Sequence, residues 1–107
     1  MSMMHTELAQ GRWYTMSLAE QLGNVGSEYD RALKWRTQSD ERFHNAFDRF
    51  LELLDMTIAD QKHSFNCKRE LLRLREYVCS EFTSPAKSTE NLSSYFYQFG
   101  LLARRAS

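Results

Sequence analysis

Apolar residues recur at intervals of three and four along most of the chain, and no segment shows the sustained alternation that is typical of a strand. This spacing predicts four helices: one from about Trp13 to Arg36, one from about Asp40 to Asp60, a third that includes residues 67–82 and a fourth that follows Ser88. The positions expected to face the core are Tyr14, Leu18, Leu22, Val25, Tyr29 and Leu33 in the first helix, Phe43, Ala46, Phe47, Phe50, Leu54 and Ile58 in the second, Cys67, Leu71, Leu74, Val78 and Phe82 in the third, and Leu92, Tyr95, Phe96, Phe99 and Leu102 in the fourth.

Capping signals mark the ends of these segments. Ser17 and Glu20 have the spacing of a capping box, which offers Ser17 as an alternative start to the first helix. Thr37 and Asp40 have the same spacing, so a boundary is expected between them. The third helix is expected to end at residues 83–85, where the single proline of the chain lies.

The links between the four segments are short, which makes sequential helices antiparallel neighbours. The sequence therefore predicts an all-α protein, an antiparallel up-down-up-down four-helix bundle, with residues 12–107 forming one domain. Residues 1–11 lack helical periodicity and are expected to form a loosely ordered N-terminal segment.

Charge and hydropathy exclude several classes of partner. Fourteen basic and fourteen acidic side chains cancel, so no strong net field attracts phosphate backbones or anionic lipid, and nucleic acid is not an expected partner. No apolar run approaches the roughly 20 residues needed to cross a bilayer, and residues 1–12 lack a secretory signal. These features favour a cytoplasmic protein without a membrane partner.

The two cysteines, Cys67 and Cys79, fall on one predicted helix about 18 Å apart and cannot pair with each other. They are expected to be buried free thiols, which suits a reducing compartment.

Metal-binding and catalytic patterns are incomplete. Glu41 and His44 have the Glu-x-x-His spacing of di-iron bundles, but the nearest second pair, Asp60 and His63, lies about 28 Å away along the second helix. His63 and Cys67 stand four apart, which supplies only two ligands. No Gly-x-Ser-x-Gly elbow is present. The sequence favours a protein without catalytic residues, metal or cofactor.

Surplus apolar and small residues point to an interface. Ala19, Gly23 and Gly26 form a smooth flank of the first helix that lets another backbone approach, from the same chain or from another subunit. Several aromatic side chains lie off the main stripes, and either a protein partner or the N-terminal segment covers them. The candidate interface residues are Trp13, Gly23, Gly26, Trp35, Tyr97 and Leu101.

Residues 13–28, 54–60 and 88–99 resemble segments of short prokaryotic helical proteins without an assigned function. The resemblance covers about a third of the chain, includes no catalytic motif, and implies a helical bundle. By architecture, the chain is also similar to the HEPN bundles, some of which are ribonucleases of toxin-antitoxin and defence systems. Their Arg-x4-6-His signature is missing, since Arg36 stands eight residues before His44 and Arg42 only two.

Two functions follow as hypotheses. The first is a non-enzymatic helical interaction or assembly module that self-associates as a homo-oligomer or binds a protein partner. The second is an RNA-directed HEPN-like protein, or the partner of one, in a toxin-antitoxin or defence system. Arg69, Arg73 and His44 are the polar residues that the second hypothesis would use.

Overall fold

The computed structural model describes residues 11–83, 92 and 95–97, and every regular element within these ranges is helical. Three long helices pack together: α1 (Leu18–Trp35), α2 (Asp40–Ala59) and α3 (Phe65–Thr83). Helical turns at 11–13 and 95–97 lie before and after them. The predicted all-α class is confirmed. None of the described helices has the length and apolar character needed to span a bilayer.

Serine side chains begin all three long helices. Ser17 and Glu20 form the predicted capping box, in which the Ser17 hydroxyl accepts the Glu20 amide at 3.1 Å and the Glu20 carboxylate accepts the Ser17 amide at 2.9 Å. Ser39 caps α2, and Ser64 accepts the Cys67 amide at the start of α3. Each hydroxyl satisfies a backbone donor that has no partner within its helix.

The helix boundaries differ little from the predicted ones. α1 begins directly after its N-cap Ser17, the alternative start, rather than at Trp13, and α2 takes its cap from Ser39, within the expected boundary. α3 ends at Thr83, as expected. The predicted caps and apolar positions of the fourth segment other than Leu92, Tyr95 and Phe96 lie outside the described residues, as does the N-terminal segment up to residue 10.

The core is aromatic and surrounds Tyr29, which has no exposed surface. Its ring centroid lies 6.2 Å from that of Phe50 on α2, 5.5 Å from Phe82 on α3 and 5.4 Å from Phe96 in the turn 95–97. Tilted aromatic pairs at these separations contribute stability beyond the area they bury. α2, α3 and the helical turn 95–97 therefore meet at one α1 side chain.

The Tyr29 hydroxyl adds two hydrogen bonds to these ring contacts. It donates to the carboxylate of Glu81 at 3.0 Å and accepts the backbone amide of Leu92 at 3.2 Å. Burial, with Glu81 nearby, raises the pKa of Tyr29 to about 12, so the hydroxyl keeps its proton. Arg36 donates to the Glu81 backbone carbonyl at 2.8 Å, which further joins the end of α1 to α3.

Gly26 makes room for Phe96 on the surface of α1. A Cβ atom at this position would lie 2.2 Å from the Cβ of Phe96 and 2.7 Å from its Cγ, well inside van der Waals contact. The missing side chain therefore allows residues 95–97 to approach α1. The close contact that the glycine flank predicted is made, at Gly26, within the same chain.

Gly26→Ala is expected to destabilise the protein. The added methyl group clashes with Phe96, and overpacking of this kind costs about 1 to 3 kcal/mol, which opposes a gain of about 1 kcal/mol in helix propensity. Urea unfolding should show a lower midpoint. Gly11→Ala is the matched control, because a Cβ at Gly11 meets nothing within 4 Å. A midpoint for Gly26→Ala as high as that of the wild type would contradict the contact.

Tyr29→Phe is expected to lower the free energy of unfolding by about 1 to 3 kcal/mol, because it keeps the ring but leaves the buried Glu81 carboxylate without this donor. The same unfolding experiment measures the change. Tyr14→Phe removes the hydroxyl of a partly exposed tyrosine and should shift stability by less than about 0.5 kcal/mol. Equal effects of the two substitutions would show that the buried hydroxyl has no special role.

Candidate functional site

A group of polar side chains is buried where the turn before α1 meets the end of α2. Gln21 of α1 lies at its centre with no exposed surface. Its amide nitrogen donates to the Asp60 carboxylate at 2.8 Å and to the Trp13 carbonyl at 3.1 Å, and its amide oxygen lies 2.6 Å from Nε2 of His63. We call Trp13, Gln21, Thr57, Asp60 and His63 the polar cluster.

The partners of Gln21 determine the protonation of His63. Because a carboxylate and a backbone carbonyl only accept hydrogen bonds, both face the amide nitrogen of Gln21. The amide oxygen therefore faces His63 and can only accept, so Nε2 of His63 carries a hydrogen. One glutamine thus sets both the position and the tautomer of the imidazole.

Asp60 is the charged member of the cluster and is nearly buried. Burial by itself raises the pKa of this carboxyl, but hydrogen bonds from the Lys62 side chain, from Gln21 and from the Lys62 amide outweigh it and lower the pKa to about 2. The Lys62 ammonium also donates to the Tyr14 carbonyl at 3.1 Å. Asp60 is therefore an ionised group that joins three segments of the chain.

His63 is largely buried beside this carboxylate. Burial lowers the pKa of His63 below its ordinary value of 6.5, and the nearby Lys62 and Lys68 lower it further, while Asp60 opposes them. The imidazole is therefore neutral at pH 7. Its nearest polar partners are an amide oxygen and, at 3.7 Å, a carboxylate oxygen, so it activates no hydroxyl or thiol in the polar cluster.

A cleft of about 350 Å³ opens beside the polar cluster, lined by Tyr14, Ala59, Asp60 and Gln61. The oxygens of Asp60 already accept hydrogen bonds from Gln21 and Lys62. Every buried side-chain nitrogen or oxygen among the described residues has a hydrogen-bond partner. The cluster is satisfied by its own chain, and its geometry supports a structural role.

The acid–histidine pairs noted in the sequence lie apart in the structure. Glu41 and His44 are exposed at the start of α2, whereas Asp60 and His63 lie at its end. His63 and Cys67 acquire no third ligand, since the described residues contain no group of three side chains suited to a metal ion. Cys67 and Cys79 are free and half-buried rather than fully buried.

The structure contradicts the expectation that the Trp13 side chain is available for contact with a partner. It is only 5% exposed, and its indole nitrogen donates to the Thr57 hydroxyl at 3.1 Å. The helical turn 11–13 ends in hydrogen bonds from Thr15 and Met16 back to Arg12 and Trp13, so Trp13 does not continue the helical spacing of α1. This break turns the indole onto α2.

The other candidate interface residues have varied surroundings. Gly26 is covered by Phe96, and Gly23 is partly buried. Trp35 is half-buried, with the guanidinium of Arg42 4.5 Å from its ring centroid. Tyr97 is 60% exposed. Leu101 lies outside the described residues.

Sequence reasoning missed the exposed apolar residues of α3. Phe65 is 75% exposed and Leu72 is 49% exposed. They lie seven residues apart, so they share one flank of the helix, about 100° to 140° from the buried residues Leu71 and Val78. The spacing of seven residues between them was a signal of a second apolar flank, but only the buried stripe of α3 was predicted from the sequence. Tyr77 and Tyr95 are exposed to a lesser degree.

The residues named for RNA contact do not converge. Arg69 and Arg73 are exposed on α3, and Arg73 lies 3.7 Å from Glu70. His44 is at the other end of the helix pair, because the ring of its neighbour Phe43 lies 5.4 Å from that of Phe82, about 20 Å along α3 from Arg69.

Comparison with known proteins gives no relative: no family model, curated protein or solved structure matches the chain.

The stability of the protein is expected to fall as the pH drops from 6.5 to about 5. The pKa of His63 is lower in the folded state than in the unfolded state, so the unfolded chain binds the proton more readily and acid favours unfolding. Asp60 adds little in this window, since its carboxyl is ionised in both the folded and the unfolded state until the pH falls toward its ordinary value of 3.8. Urea unfolding across this range measures the slope.

His63→Gln should flatten this dependence while keeping a side-chain donor near Gln21. His44→Gln, at an exposed position, serves as the control and should keep the wild-type slope. An identical slope in wild type and His63→Gln would show that the buried imidazole does not control acid sensitivity.

Proposed function

We propose that this chain is a helical interaction module that acts by binding rather than by catalysis and that self-associates through the exposed apolar flank of α3. The observation that carries the proposal is the exposure of Phe65 and Leu72 on one side of that helix. Large apolar side chains grouped on a surface favour association, because contact removes them from water.

The surface extends beyond α3. Arg75 joins Asp55 of α2 through hydrogen bonds of 2.7 and 3.4 Å, which brings this side of the two helices together. Leu51 and Ile58 share the Asp55 flank of α2 by helical spacing, and both are only partly buried. The apolar flank of α3 is thus bordered by further apolar side chains.

The interior supports binding by a surface rather than chemistry in a cavity. The polar cluster contains no activated nucleophile, and Asp60, which lines the described cleft, is already bonded to Gln21 and Lys62. Buried polar side chains that all have partners within the described residues, together with large apolar side chains exposed on one helix, favour an assembly protein.

In this proposal the three long helices and the segment containing Phe96 form one antiparallel four-helix bundle. The support is the burial of Phe96 against Gly26 and Tyr29. The two free cysteines favour a reducing compartment and hence the cytoplasm.

Light scattering after size separation, over a series of protein concentrations, tests the function. We expect a mass above that of the monomer that rises with concentration, and a return to the monomer mass in the double variant Phe65→Gln, Leu72→Gln. Tyr97→Ser is the matched control, because it removes another exposed aromatic ring without changing α3. A monomer at every concentration would exclude self-association. A return to the monomer mass in Tyr97→Ser but not in the double variant would place the self-association on a different surface.

A further inference from the structure

The exposed flank of α3 carries a pattern that is complementary to itself when the helix direction is reversed. Phe65, Lys68, Leu72, Glu76 and Cys79 follow one another at spacings of three, four, four and three. These spacings place all five on one side of the helix. We call them the outer stripe. Its order is apolar, basic, apolar, acidic, apolar, with Leu72 at the centre.

We propose that a second copy of the chain packs antiparallel on the outer stripe, with Leu72 of both copies at the two-fold axis. This inference rests on the self-association proposed above and specifies its geometry. In such a pair, Phe65 of one copy lies level with Cys79 of the other, since both are seven residues, or about 10 Å, from Leu72. Lys68 of each copy lies level with Glu76 of the other, four residues from the axis.

Charge complementarity favours a second copy as the occupant. Lys68 and Glu76 make no ion pair with another described residue, so each has its charge available for a partner. A two-fold axis brings the same surface of both copies together, so the surface must complement itself. A basic position and an acidic position equidistant from Leu72 meet this condition only when the two helices run in opposite directions.

The apolar side chains match in the same arrangement. Phe65 extends from the first position of α3, where it is 75% exposed, and Cys79 is half-buried near the other end. A large side chain at one end and a smaller, recessed one at the other can fit together across the axis. Leu72 then meets its own copy, which removes its 49% exposed surface from water.

The expected dimer is weak and reversible. Five positions of one helix, with the neighbouring Leu51 and Ile58, form a contact at the small end of specific protein interfaces. The experiments therefore use several concentrations of the full chain and low salt, where interactions between exposed charges are strongest.

Thiol cross-linking tests the position of the axis. In a Cys67→Ala, Cys79→Ala background, Leu72→Cys should give a covalent dimer in high yield with a short bifunctional thiol reagent, because a residue at the axis meets itself. Glu70→Cys in the same background is the matched control, since Glu70 is exposed at nearly the same height on a different side of α3. Equal cross-linking of the two variants, or none in Leu72→Cys at concentrations where light scattering shows a dimer, would overturn the geometry while leaving self-association intact.

Charge exchange tests the direction of the helices. Glu76→Lys or Lys68→Glu alone places like charges opposite each other at two symmetric positions, and each should weaken the dimer roughly tenfold at low salt. The double variant exchanges the charges and should restore the wild-type dissociation constant to within about threefold. Single variants without effect, or a double variant no better than the singles, would contradict antiparallel pairing. If the wild-type protein is a monomer at every concentration, that result would contradict both this inference and the proposed function.

Discussion

The fold depends on the burial of one tyrosine, Tyr29, among the aromatic rings of three other elements. Its ring contacts Phe50 and Phe82, and its hydroxyl donates to Glu81 and accepts the amide of Leu92. A buried hydroxyl is stable only when its hydrogen-bonding capacity is used, so this side chain requires α3 and residue 92 to take one position relative to α1. The rings stabilise the fold by apolar burial, and the hydrogen bonds of the hydroxyl determine how the packed elements are oriented.

A second constraint acts near the start of α1. Gln21 lies eight residues before Tyr29, about 12 Å along the helix, and joins Asp60 and His63 at the other end of the helix pair. Both amide protons and the amide oxygen of Gln21 have partners, so the connection between α2 and α3 is held by directional bonds as well as by packing. The two polar contacts hold α3 against α1 and α2 near both of its ends.

The same contacts determine which side of α3 remains outside. Leu71, Val78 and Phe82 face the core, and the pairing of Arg75 with Asp55 directs the adjacent flank toward α2. Phe65 and Leu72 extend beyond that flank, where no described element covers them. Within the part of the chain that the structure describes, every buried side-chain polar atom has a hydrogen-bond partner, whereas large apolar side chains of α3 remain exposed.

The sequence by itself determined the three long helices, the Ser17 cap and most of the central core, because these depend on spacings of three and four and on bonds within one turn. The caps Ser39 and Ser64 were not predicted, and Tyr14 and Tyr95, which were expected in the core, are exposed. It could not assign Trp13, since a turn at residues 14–16 ends the spacing on which its position was judged. It also missed the burial of Gln21, whose side-chain partners lie about 40 residues away, and the exposure of Phe65 and Leu72. Only the tertiary structure determined the surroundings of these residues. The burial of a residue depends on which distant segments pack against it, and local periodicity does not indicate those contacts.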